Sequence, residues 1–142
     1  MESVSRMIRI LLVEDSKFLR LATERALTRA GYEVSSAQDG PEALLMAREK
    51  LPNLILLDML LPKMTGPDVL KALKGDPLTK AIPVVVMSGL SQRNAGRLGE
   101  DGAVGFLEKG ELALDQGPEK LLAALRDILK KLAGEQTSAT TA

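Results

Sequence analysis

The sequence of 142 residues contains no cysteine and no histidine. Without cysteine it has neither a disulfide framework nor a thiolate metal site, and without histidine it has no imidazole to serve as a base or a ligand. Any chemistry carried out by these residues must therefore use carboxylates, lysine, hydroxyl groups or a bound metal ion.

The sequence also lacks an excess of either charge, since 19 Lys and Arg balance 19 Asp and Glu. This balance argues against nucleic acid or an anionic membrane surface as a partner. No apolar run approaches the roughly 18 residues of a membrane span, and Met1 to Met7 lack the apolar core of a secretion signal. We therefore expect a cytoplasmic protein with no nucleic-acid or membrane partner.

The length is that of one ordinary domain, and a hydrophobic content of 45% with 27% charged residues is typical of a globular protein. We expect an N-terminal extension at residues 1–7 and a folded domain at residues 8–132. The small and polar residues 133–142 are expected to form a flexible tail.

Apolar runs alternate with helical periodicity along the chain. Strands are predicted at Ile8–Val13, Tyr32–Ala37, Leu54–Asp58, Val84–Met87 and Val104–Glu108. Helices are predicted at Ser16–Ala30, Asp39–Lys50, Thr65–Gly75, between Ser91 and Asp101, and at Pro118–Leu132. The first helix is expected to present an apolar stripe of Phe18, Leu19, Ala22, Ala26 and Leu27. A loop is expected from Gly110 to Gly117.

Short connections between alternating strands and helices imply right-handed crossovers and a parallel sheet covered on both faces. The four consecutive aliphatic residues Leu54–Leu57 predict a central strand, and the more polar Tyr32–Ala37 predicts an edge strand. The expected fold class is therefore α/β, a doubly wound five-stranded parallel sheet in three layers.

Polar residues stand at the carboxyl ends of four predicted strands, namely Glu14 and Asp15, Asp58, Ser88 and Lys109. Sheets of this class bind ligands at that edge. A strand order of 2-1-3-4-5 would make the first and third strands neighbours, so that Asp15 and Asp58 would face each other.

Three acidic side chains in one place repel unless a hard divalent cation joins them, and Mg²⁺ suits a site with a few carboxylates, water and phosphate oxygens. Lys109 could then supply a point charge, and the hydroxyl of Ser88 a donor, to phosphoryl oxygens. This set meets the modest needs of phosphoryl transfer, which are in-line positioning and charge neutralisation.

The pattern resembles the receiver domain of two-component response regulators, in particular the chemotaxis-type members that stand alone. The resemblance covers Ile8 to Leu132 and implies a flavodoxin-like fold. It is carried by Glu14-Asp15, by Asp58 with Pro62, Met64 and Gly66 behind it, and by Ser88, Phe106 and Lys109.

The resemblance implies that Asp58 accepts a phosphoryl group from a histidine kinase or a histidine phosphotransfer protein. It further implies that Asp15, Asp58 and the backbone carbonyl of Met59 hold Mg²⁺, the only cofactor expected, with Glu14 acting through the water shell of the metal. Lys109 would bridge to the phosphoryl group. A domain of this kind is a signalling module that assists its own phosphorylation and dephosphorylation, not an enzyme with a separate substrate.

The resemblance also implies a switch, in which Ser88 moves toward the phosphate and Phe106 turns inward. The switch would alter a surface formed by the helix between Ser91 and Asp101, the fifth strand and the last helix, and so affect an unidentified downstream protein. In the family a proline usually follows the lysine in a cis peptide bond. Here Gly110 follows, so that the bond is either trans or a strained cis.

Simpler interpretations remain open at this point. Asp58 and Ser88 could each be turn residues without a chemical role, Lys109 could be an ordinary solvated lysine, and Phe106 could be a core residue without a switching role. A haloacid-dehalogenase-type phosphatase needs a second aspartate two residues after the first, where Leu60 stands. A flavodoxin-like cofactor site would not place Glu14-Asp15 at its phosphate loop. A receiver-like module that docks without phosphorylation is the remaining alternative.

Leu60 and Leu90 each lie two residues beyond a site residue, Asp58 and Ser88. Their aliphatic side chains are expected at the rim where an attacking water must enter. We therefore expect slow self-dephosphorylation.

Overall fold

Five parallel strands in the order β2-β1-β3-β4-β5 form the centre of the computed structural model, which describes residues 7–89, 102–112 and 114–141. The strand order and the doubly wound α/β class are confirmed, as is the edge position of β2. The strands are β1 (Arg9–Val13), β2 (Glu33–Ala37), β3 (Leu54–Asp58), β4 (Val84–Ser88) and β5 (Gly105–Glu108).

Helices α1 (Lys17–Arg29), α2 (Gly40–Lys50) and α3 (Gly66–Gly75) connect the first four strands. A four-residue helix α4 (Lys109–Leu112) and a 3-10 turn (Leu114–Gln116) follow β5, and α5 (Glu119–Thr141) follows them. The predicted helix between Ser91 and Asp101 lies outside the described residues, as does Leu90. No helix in the part of the chain that is described has the length and apolar content needed to cross a membrane.

The first three helices begin at side chains that cap their free backbone N–H groups. Ser16 Oγ accepts from the N–H of Leu19 at 3.3 Å, Asp39 Oδ1 from that of Glu42 at 2.9 Å, and Thr65 Oγ1 from that of Asp68 at 3.2 Å. These caps fix where each chain segment leaves the carboxyl edge of the sheet.

Two apolar cores lie on opposite faces of the sheet. One contains residues of α2 and α3, such as Ala47 and Leu70, and the other contains residues of α1 and α5, such as Leu27 and Leu125. All five residues of β3 are buried, because this strand is central and is covered on both sides. The predicted three-layer arrangement is thus confirmed.

The apolar stripe predicted for α1 was wrong at Phe18, which is 81% exposed, and at Ala22, which is also exposed. The buried residues of this helix are Thr23 and Leu27, which are four positions apart. A threonine occupies the middle of the buried face, so a search for apolar residues alone misplaced the face.

Two segments after β5 differ from the expected structure. The predicted loop from Gly110 to Gly117 contains most of α4 and the whole 3-10 turn. The last helix continues to Thr141, beyond its predicted end at Leu132. Residues 133–142 contain no proline and several good helix formers, so local propensity does not stop the helix there.

Candidate functional site

Three carboxylates meet at the carboxyl edge of the sheet. Glu14 and Asp15 follow β1, and Asp58 is the last residue of β3. These strands are neighbours and Val13 pairs with Leu57, so the two strand ends lie side by side. One carboxylate oxygen from each acid lies within 4.8 Å of the others. Glu14 and Asp58 are 3% and 2% exposed, whereas Asp15 is exposed.

Lys109 connects two of these acids. Its Nζ atom lies 3.2 Å from Glu14 Oε1 and 3.2 Å from Asp58 Oδ1. Lys109 is the first residue of α4 and follows β5 directly, so its side chain reaches across the end of β4 to the central strands. Only 21% of that side chain is exposed. The interpretation of Lys109 as an ordinary solvated lysine does not fit this position.

The charges at the site shift the pKa values of two groups. Burial raises the pKa of Glu14, and the negative charge of Asp58 raises it further, although Lys109 opposes both effects. Burial alone would lower the pKa of Lys109, but the charges of Asp58 and Glu14 outweigh burial and raise it. Lys109 is therefore a permanent cation at neutral pH.

Backbone groups fix the segment that follows Asp58. The N–H of Met59 donates to the carbonyl of Met87 at 2.9 Å, and the N–H of Leu60 donates to Asp58 Oδ1 at 3.4 Å. The carbonyl of Met59 accepts from the N–H of Gly66 at 3.1 Å, which closes the segment from Met59 to Gly66 into a compact loop. A carbonyl oxygen has two lone pairs, so that of Met59 can accept a second partner.

Arg20 supports the acidic side of the site, although no pattern in the sequence predicts this role. Its Nη1 atom donates to the carbonyl of Glu14 at 3.0 Å and to that of Asp15 at 3.4 Å. Glu14 Oε2 also accepts from the N–H of Ser16 at 3.2 Å. These contacts fix the turn that carries both acids.

Residues 10–126 match the family model of the response regulator receiver domain. The chain belongs to this family. Relatives are similar over much of the chain: it is 47% identical over 102 residues to the response regulator PleD of Caulobacter vibrioides, a match that covers 71% of this chain and 22% of PleD. It is 41% identical over 113 residues to a gliding motility regulatory protein of Myxococcus xanthus, covering 78% of this chain and 14% of that protein.

The chain thus spans about a fifth or less of the length of these two relatives. Among solved structures, the chemotaxis response regulator CheY4 of Vibrio cholerae is similar with a TM-score of 0.78 and 32% identity, over 87% of this chain and 99% of that one. The receiver domain of a LuxO repressor protein from Vibrio parahaemolyticus gives a TM-score of 0.79 at 28% identity, over 94% and 98% of the two chains.

Two further predicted residues of this receiver domain lie on β4 and β5. Ser88 is buried at the end of β4, one residue beyond Met87, which pairs with Asp58. Phe106 pairs with Val86 and is half-buried against the core that contains α2 and α3. Ser88 itself pairs with Glu108, the residue before Lys109.

The residues present suit a divalent metal ion. Receiver domains generally use Mg²⁺ at an acidic pocket, and Glu14, Asp15 and Asp58 form such a group here. Their donors are carboxylate oxygens, which hard cations prefer.

The described residues contain no cis peptide bond, so the bond between Lys109 and Gly110 is trans.

Proposed function

We propose that this receiver domain accepts a phosphoryl group on Asp58 from a histidine kinase or a histidine phosphotransfer protein. One observation carries the proposal: Lys109 lies 3.2 Å from Asp58 and from Glu14, beside an acidic group that Asp15 completes. The proposal takes residues 8–132 as the receiver unit, between an N-terminal extension and a C-terminal tail. It includes a cytoplasmic location, where ATP-dependent kinases act.

In the transfer step, an oxygen of the Asp58 carboxylate would attack the phosphorus of a phosphohistidine. The new P–O bond forms as the P–N bond breaks, and the departing imidazole keeps the electron pair and takes up a proton. Lys109 would offset negative charge on the phosphoryl oxygens, because its pKa is raised and it stays protonated. The N–H of Leu60 donates to Asp58 Oδ1 and so helps to orient the carboxylate.

Asp15, Asp58 and the backbone carbonyl of Met59 would hold Mg²⁺, with Glu14 acting through its water shell. When bound, the ion supplies positive charge that neutralises the phosphoryl oxygens. The carbonyl of Met59 suits this role because it retains a lone pair after accepting from Gly66.

The output would be a change in a protein-binding surface. In this proposal Ser88 contacts the new phosphoryl group and Phe106 repacks in response, which alters the surface around β5 for a downstream protein. Ser88 and Phe106 lie on adjacent strands, and Phe106 already packs against an apolar core, so a small movement of one could reach the other.

Incubation with acetyl phosphate or phosphoramidate, with and without Mg²⁺, tests the proposal by intact mass. The wild type should gain one phosphoryl group only with Mg²⁺, and Asp58→Asn should gain none. Asp127→Asn, which changes an exposed aspartate on α5, is the matched control and should behave like the wild type. No gain in the wild type would favour a module that docks without phosphorylation.

A further inference from the structure

Asp39 and Lys63 join the loop after β3 to the start of α2. Lys63 Nζ lies 3.2 Å from Asp39 Oδ2, while the other oxygen of Asp39 accepts the N–H of Glu42 at 2.9 Å. The Asp39 side chain therefore has two separate functions, one as the helix cap and one as the partner of Lys63. The sequence analysis predicted a helix beginning at Asp39, but it did not predict the ion pair.

The ion pair acts on a strained part of the chain. Lys63 has a φ of 72°, in the left-handed region that a residue with a Cβ adopts at an energetic cost. The N–H of Met64 donates to the carbonyl of Pro62 at 2.8 Å, so the strained residue is the centre of a three-residue turn. Such a conformation persists only where surrounding contacts hold it.

Packing beside the ion pair holds the same turn. A Cβ atom added at Gly40, next to Asp39, would lie 2.7 Å from the Cβ of Met64. The tip of the loop thus sits directly against the backbone at the start of α2, with no room for a side chain between them. The two ends of the loop are joined by the bond from the N–H of Gly66 to the carbonyl of Met59.

From these contacts we infer that the Asp39–Lys63 pair is a positioning device, which holds the loop from Met59 to Gly66 so that the carbonyl of Met59 faces the metal site. This inference rests on the proposed Mg²⁺ site. The ion pair and the helix cap do not include any of the three site acids, Glu14, Asp15 and Asp58. The pair acts through the shape of the loop, in the way that partners outside the ligand sphere orient metal ligands.

The chain contains a matched control for this pair. Arg48 Nε lies 2.9 Å from Asp76 Oδ2, so a second ion pair joins the opposite end of α2 to the residue that follows α3. The lysine and the arginine are similarly exposed, at 66% and 56%. Loss of the Arg48–Asp76 pair removes an equivalent surface interaction without touching the loop.

Calorimetric titration with Mg²⁺ tests the inference on Lys63→Gln, Asp39→Asn, Lys63→Arg and Arg48→Gln. Asparagine caps a helix as well as aspartate, so Asp39→Asn keeps the cap and loses the pair. We expect Lys63→Gln and Asp39→Asn each to weaken Mg²⁺ binding by about 3- to 10-fold. The double variant should lose no more Mg²⁺ affinity than either single variant, because both substitutions break the same ion pair. Lys63→Arg and Arg48→Gln should bind like the wild type.

The sign of the Lys63→Gln effect separates positioning from simple charge. Removing a positive charge near an acidic site would by itself tighten Mg²⁺ binding, whereas removing Asp39 would weaken it. Weaker binding in both variants therefore supports positioning, and binding of Lys63→Gln that is equal to or tighter than in the wild type overturns it.

Amide hydrogen exchange without metal gives a second readout. The N–H groups of Leu60, Met64 and Gly66 all donate hydrogen bonds within the loop region, and they should exchange faster in Lys63→Gln than in Arg48→Gln. Equal exchange would overturn the inference even if the wild type bound no Mg²⁺. Conversely, if the wild type takes up no phosphoryl group while exchange rises as expected, the proposed function fails and the loop-holding role stands.

Discussion

The Nζ atom of Lys109 lies 3.2 Å from Oδ1 of Asp58, so a cation accompanies the proposed phosphoacceptor. The same atom is 3.2 Å from Glu14 Oε1. Two buried carboxylates therefore share one lysine, and a divalent cation that binds to them must compete with it.

Lys109→Gln should lower the free energy of unfolding by about 1–3 kcal/mol at pH 7, because it leaves two buried acids without their cation. The same variant should bind Mg²⁺ more tightly than the wild type, since the metal no longer competes with the lysine. Urea unfolding and calorimetry check the two effects. Lys120→Gln, an exposed position on α5, is the control. Weaker Mg²⁺ binding in Lys109→Gln would contradict the competition.

Glu14 should make stability depend on pH. Its pKa is raised above the ordinary value of 4.5 by burial and by Asp58. Below that value both folded and unfolded states hold the proton; as pH rises toward the folded pKa, the unfolded state ionises first and stability falls. Without Mg²⁺, the wild type should therefore lose stability relative to Glu14→Gln as the pH rises above about 4.5. A difference that stays constant over this range in urea unfolding would refute the effect.

Leu60 should slow the loss of the phosphoryl group. Its side chain is 61% exposed and lies two residues beyond Asp58, where it can obstruct water without offering a hydrogen bond to it. Leu60→Asn should speed decay of the acyl phosphate by about tenfold, which corresponds to about 1.4 kcal/mol in the barrier. Leu78→Asn, at a leucine that is 58% exposed elsewhere, should leave the decay unchanged. Decay in Leu60→Asn that is no faster than in the wild type would contradict this role.

Gly66 should not tolerate a side chain. A Cβ there would lie 2.6 Å from the Cα of Met59, a backbone atom that cannot move aside cheaply. Gly66→Ala should therefore reduce the free energy of unfolding by about 1–3 kcal/mol. At Gly75, in the last turn of α3, a Cβ would meet nothing within 4 Å, so Gly75→Ala should be neutral or stabilising. Equal urea midpoints for the two variants would contradict this prediction.

The sequence predicted the fold and the grouping of Glu14, Asp15, Asp58 and Lys109 for one physical reason. Apolar runs show where each strand ends, and parallel strands bring those ends to one edge. Charged residues directly after such runs therefore lie close together, and this does not depend on the conformation of the loops. Lys109 was placed beside Asp58 in this way, although the two residues are 51 positions apart along the chain.

Other contacts depend on the course of the loops, which local sequence patterns do not predict. Lysine is not a residue that favours a positive φ, so Lys63 gave no sign of its turn or of its contact with Asp39. Arg20 reaches the carbonyls of Glu14 and Asp15 only because the turn before α1 folds back toward it. Phe18 was misplaced because the burial of a threonine cannot be read from hydrophobicity.

The strands that carry the acids, β1 and β3, are interior to the sheet and have a hydrogen-bonded neighbour on each side. Sliding either strand by one residue would turn its buried leucines toward the opposite face. The hydrogen bonds and the packing of β1 and β3 therefore hold the backbone that carries the carboxylates in one position. Under the proposed function, a signal that starts at Asp58 would therefore leave through the peripheral strand β5, which Lys109 follows directly, while the central pair stays still.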